Sequence, residues 1–112
     1  MALFNFLDML GSYQNRKVDR FEGSGGLIVD TCAVTDSELP YETAVSDGRY
    51  NGGNWIVVEL YEDINLARLG HEKWVKTMTQ KELPKTIKEV STSDLAKLCD
   101  VFDNKWRDMP RV

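Results

Sequence analysis

The sequence predicts an α+β fold: a four-stranded antiparallel sheet built from two hairpins, two carboxy-terminal helices packed on one of its faces, and a short amino-terminal helix. Three observations lead there. The turn signals Gly23-Ser24-Gly25-Gly26 and Asn51-Gly52-Gly53-Asn54 each interrupt stretches rich in β-branched and aromatic residues. Ala67, Gly70, His71, Trp74, Val75 and Met78 recur at helical spacing. Leu95, Leu98, Cys99, Phe102 and Trp106 do the same further on. At 112 residues, with 42% hydrophobic and 29% charged residues, the chain reads as one globular domain, 1–112.

Taken in order, Leu3, Phe6, Leu7 and Leu10 share a helical face and Gly11 is placed to stop it, which predicts a helix over residues 2–10. Val18 to Phe21 is a short strand, and the glycine turn leads into a second, Leu27 to Val34. Tyr41 to Val45 is a third strand, and Trp55 to Tyr61 the fourth. Asp63 is positioned to cap the helix over 64–80, and Pro84 closes that region. Ser91 and Asp94 have capping-box spacing ahead of the last helix, 92–105. Alternation along the fourth strand places Ile56, Val58 and Leu60 on the face that receives the helices, and Trp55, Val57 and Tyr61 on the other. That second face is apolar apart from Glu59, so it needs a cover, either the amino-terminal helix or another protein.

Charge and composition exclude several classes of function. The net charge of −4 disfavours general binding to nucleic acid or to anionic membranes, and no apolar run reaches the roughly 20 residues of a membrane span. The amino terminus lacks the features of a signal peptide. Cys32 and Cys99 are far apart and read as small core residues in a reducing compartment. One histidine and two separated cysteines supply no metal-binding pattern, so no metal and no cofactor are expected. The glycines at 23–26 open a strand and lack the lysine of a phosphate loop. His71, at the edge of an apolar stripe, reads as a packed histidine, and no catalytic residue is assigned.

The strongest bias is acidic. Residues 30–63 hold eight acids against the single base Arg49, a pattern suited to meeting a basic protein. The expected protein-binding residues are therefore Asp36, Glu38 and Asp47 for charge, and Trp55, Val57 and Tyr61 for apolar contact, the latter also offering a surface for a homo-oligomer.

The segments Tyr41-Glu42-Thr43-Ala44-Val45, Trp55 to Tyr61, and Leu69-Gly70-His71-Glu72-Lys73-Trp74-Val75-Lys76 resemble small uncharacterised proteins encoded by phages and prophages. In those proteins a Glu-Thr strand, a strand ending in Tyr and a Gly-His-Glu-x-Trp-Val helix follow one another. The resemblance spans residues 41–80. It implies a phage origin and a place in the cytoplasm of the infected bacterial host or in the virion, and brings no activity with it. One departure is the helix start, where Ile64-Asn65-Leu66 is mostly apolar instead of acidic and offers an extra contact surface. The function expected is that of an accessory protein binding a host or phage protein without catalysis. The alternatives are a minor virion or assembly component, and a small-ligand binder or enzyme with a pocket near His71.

Overall fold

The computed structural model describes residues 16–34, 39–90 and 108–112. The expected helices over 2–10 and 92–105 lie outside these residues, as do Asp36, Glu38 and Cys99. Within them the fold is α+β. Strands β1 (Lys17–Glu22), β2 (Ile28–Ala33), β3 (Tyr41–Ser46) and β4 (Ile56–Tyr61) form one antiparallel sheet in the order β1-β2-β3-β4. Both hairpins are present, and β2 pairs with β3 to join them into a meander. A single helix among the described residues, α1 (Ile64–Thr79), crosses the sheet and touches all four strands. A small pair that the sequence did not suggest, β5 (Thr86–Lys88) with β6 (Asp108–Pro110), completes the described structure.

Each hairpin connection contains a 3-10 turn with consecutive glycines in the left-handed region, φ 71° and 83° at Gly25 and Gly26 and 61° and 84° at Gly52 and Gly53. A Cβ is strained there, which is why both turns are glycine pairs. The α1 cap forms as expected, with the Asp63 carboxylate accepting the Leu66 N–H at 2.9 Å. Ala67, Gly70, His71 and Met78 are its buried residues.

The main correction concerns β4. Thr43 pairs with Glu59 but Ala44 pairs with Val57, so Val58 is an extra residue in a β-bulge. A bulge shifts the alternation by one. Ile56 faces α1 before it, whereas Glu59 and Tyr61 face α1 after it. The expectation that Tyr61 shares an outer face with Trp55 and Val57 therefore fails: Tyr61 is buried beneath the helix, and Leu60 takes the opposite side. Trp55 remains exposed and Val57 half-buried.

The core contains Leu27, Val29, Val45, Tyr50, Ile56, Val58, Met78 and Ile87, with Phe21, Trp74, Val75 and Met109 at its margin. Tyr50 is fully buried and its hydroxyl donates to the Pro84 carbonyl. Arg111 and Val112 bond the carbonyls of Lys85 and Arg49, so the end of the chain ties the β3–β4 connection to the segment after α1. The Val90 N–H bonds the Val57 carbonyl, which occupies part of the outer edge of β4.

Candidate functional site

Between α1 and the sheet lies a seam of polar side chains. Antiparallel register sets Thr31 opposite Thr43, and their hydroxyls are 2.6 Å apart. His71, one turn into the buried stripe of α1 from Ala67, places Nδ1 2.8 Å from the Thr31 hydroxyl. Thr43 continues the chain to the Tyr61 hydroxyl at 3.0 Å, and that hydroxyl reaches the Glu59 carboxylate at 3.4 Å. At the far end the same Glu59 oxygen accepts from Trp74 Nε1 at 2.8 Å and binds the Lys73 ammonium. At the near end His71 Nε2 lies 3.8 Å from Asp19. Gly70 makes this approach available: a Cβ there would stand 2.1 Å from the Tyr61 hydroxyl.

The electrostatics follow from this placement. Burial lowers the His71 pKa, and the nearby charges of Asp19, Asp30 and Glu72 offset that only in part, so the ring is neutral near neutral pH. Burial pushes Tyr61 up to about 12, keeping its hydroxyl protonated. Burial also works against the Glu59 carboxylate, but the bonds from Lys73 and Trp74 outweigh it and hold Glu59 below its ordinary range.

Two clefts open at the ends of this seam. The first, of about 430 Å³, has Leu66, Leu69, Gly70 and Lys73 of α1 and Glu59, Leu60 and Tyr61 of β4 among its lining residues, together with Leu39 and Glu62. Leu66 and Leu69 are 42% and 64% exposed. The second, of about 480 Å³, has Asp19, Phe21, His71, Glu72, Val75 and Lys76 among its lining residues.

No protein-family model, curated protein or solved structure matches this chain. Its residues must therefore be read on their own.

The structure separates the expected contact residues. Trp55 is exposed at the start of β4, while Tyr61 lies in the seam. Asp47 is 3% exposed, and its carboxylate is engaged by the Arg49 side chain at 2.6 and 2.9 Å and by the Arg49 N–H at 2.9 Å. That carboxylate is used within the chain. Cys32 is half-buried, and burial followed by Asp30 and Glu42 pushes its thiol up to about 11, which keeps it in the unreactive thiol form. Among the described residues no group of three or more His, Cys, Asp or Glu side chains could hold a metal ion, and no helix is long and apolar enough to cross a membrane.

Sequence reasoning missed the roles of Thr31, Thr43, Glu59, Gly70 and Lys73. A signal was present in part. Thr31 and Thr43 occupy the same strand parity as the core residues Val29 and Val45, and a hydroxyl at such a position needs a buried partner.

Proposed function

We propose that this chain is a small phage accessory protein that acts by binding a host or phage protein without catalysis, and that the partner docks in the leucine-walled cleft at the start of α1. The partner is a basic segment offering one apolar side chain. One observation carries this reading: Leu66 and Leu69 stay exposed beside a cleft although α1 already buries a full apolar stripe on its other side. The apolar helix start noted against the resembling proteins falls at this place.

Charge supports the choice of a basic segment. Lys73, the one base lining the cleft among the described residues, is bound to Glu59, while Glu62 is exposed and forms no salt bridge among those residues. Leu39, which also lines the cleft, directly follows Asp36-Ser37-Glu38 in sequence. A lysine or arginine beside the inserted apolar group would meet net negative charge. The phage context and the host cytoplasm rest on the resemblance over residues 41–80.

The test is photo-crosslinking from position 69 in infected cells, paired with affinity capture of Leu69→Asp. A central apolar anchor is worth about 2 kcal/mol, so Leu69→Asp should weaken capture roughly 30-fold while leaving the fold intact. Undiminished capture by Leu69→Asp and Leu66→Asp would remove the reading. A second reading, a small-ligand binder, is favoured by the cleft over His71 and is read by a thermal-shift screen of metabolites. Mass spectrometry of purified particles distinguishes a virion component from an intracellular one.

A further inference from the structure

The seam holds one hydrogen for each of its four hydrogen bonds and none for the Asp19–His71 contact, which at 3.8 Å is no hydrogen bond while the ring is neutral. The contacts run Asp19–His71, His71–Thr31, Thr31–Thr43, Thr43–Tyr61 and Tyr61–Glu59, five in all. Each hydroxyl contributes one hydrogen and a neutral imidazole one, which makes four. Both ends are carboxylates, which only accept when ionised, so no rotation of the hydroxyls satisfies every contact. The two longest separations, 3.8 Å at Asp19 and 3.4 Å at Glu59, fall at the two ends, where a contact can be left without a hydrogen. Glu59 tolerates it because Trp74 and Lys73 already donate to the same oxygen.

We propose that Asp19 and His71 form a proton-operated latch between β1 and α1: a proton on His71 supplies the missing hydrogen, and Nε2–H then draws the Asp19 carboxylate onto the helix across the second cleft. The inference stands on this chain of contacts and is independent of the docking reading. The charged groups around His71 come from every neighbouring element. Asp19 and Arg20 belong to β1, Asp30 to β2, and Glu72 and Lys76 to α1. Glu59 of β4 acts through Tyr61, Thr43 and Thr31. Arg20 is occupied with Glu22 and Asp30. Asp19 is the exposed partner, its side chain 58% exposed with Oδ1 accepting the Arg20 N–H at 2.8 Å and Oδ2 toward the ring, while the side chain of His71 is only 4% exposed. Because burial dominates at His71, the latch closes on acidification, below the ordinary histidine range.

His71 is the only histidine of the chain, so imidazole ¹H–¹⁵N NMR across a pH series reads its titration and tautomer without ambiguity. Asp19→Asn removes the carboxylate that favours the imidazolium and should lower the titration midpoint by roughly half a pH unit or more. Tyr61→Phe removes one hydrogen and two contacts, leaving three hydrogens for three contacts with a neutral ring. It should fix the neutral Nε2–H tautomer and also lower the midpoint, since an added proton would then have no acceptor. The exposed Asp19 site tolerates its substitution, so that arm is decisive even if Tyr61→Phe folds poorly. A midpoint in Asp19→Asn equal to that of the unmodified protein overturns the latch, and an unchanged midpoint in folded Tyr61→Phe does so as well.

Discussion

Gly70 is the residue on which the helix–sheet contact turns. Its missing side chain lets α1 settle against Tyr61, and an added Cβ would also lie 2.2 and 2.3 Å from the Cε1 and Cζ atoms of the ring. Ring carbons held in a buried seam cannot step aside as the tip of a long side chain would. Gly70→Ala should therefore cost about 1–3 kcal/mol or more in denaturant melts, even though alanine favours helix. Tyr61→Phe should not rescue it, because the ring carbons remain in the way. Stability equal to that of the unmodified protein would show that the helix stands off the sheet. In the sequence, Gly70 looks like any small residue in an apolar stripe. Its meaning depends on a tyrosine brought opposite by tertiary packing.

At the scale of the element, α1 is set by local signals and docked by mixed ones. Asp63 caps it, the stripe from Ala67 to Met78 faces the core, and Trp74 joins the margin of that core while donating to Glu59. Trp74→Ala removes both a partly buried ring and a donor to a carboxylate. A loss of about 3 kcal/mol is expected, at the low end for aromatic truncation because the indole is not fully enclosed. Urea melts measure it, and a loss near zero would move Trp74 out of the core. The same element shows how one inserted residue redirects a strand. Period-2 reading of β4 holds up to Val57, and the bulge at Val58 then turns Glu59 and Tyr61 toward the helix. This created the seam and removed Tyr61 from the expected contact face. Nothing in the run Ile56-Val57-Val58-Glu59-Leu60-Tyr61 marks Val58 as the extra residue, since two adjacent valines fit either register.

For the whole molecule the consequence is a two-stage response to acid. His71 has a lowered pKa in the fold, so the unfolded chain takes up the proton first. Stability falls as pH drops from the ordinary histidine range, about 6.5, to the lower value of the folded state, and levels off below it. Asp47 is lowered chiefly by its bond from Arg49, against burial, and contributes stability that is lost as pH falls through that lowered value, below about pH 4. Calorimetry across pH should show a decline in Tm beginning near pH 6.5 and a second below pH 4. His71→Gln should abolish the first stage and keep the second. A first stage that persists in His71→Gln would assign it to other groups.

By itself the sequence determined the four strands, their pairing as two hairpins, and α1 with its cap. Each of these depends on residues close in the chain: glycine pairs that accept positive φ, alternating apolar residues, and a carboxylate three residues before an N–H. It also placed Trp55 on an outer apolar face and marked the start of α1 as unusually apolar, and both Trp55 and Leu66 are exposed. Only the tertiary structure decided that β2 joins the two hairpins through β3, and that Thr31, Thr43, Tyr61 and Glu59 link His71 to the first cleft. Thr31–Thr43, Thr43–Tyr61 and Thr31–His71 lie 12, 18 and 40 residues apart in the chain. A hydroxyl can bond any acceptor brought within about 3 Å, so which one it meets is settled by strand register and helix docking, not by spacing along the chain.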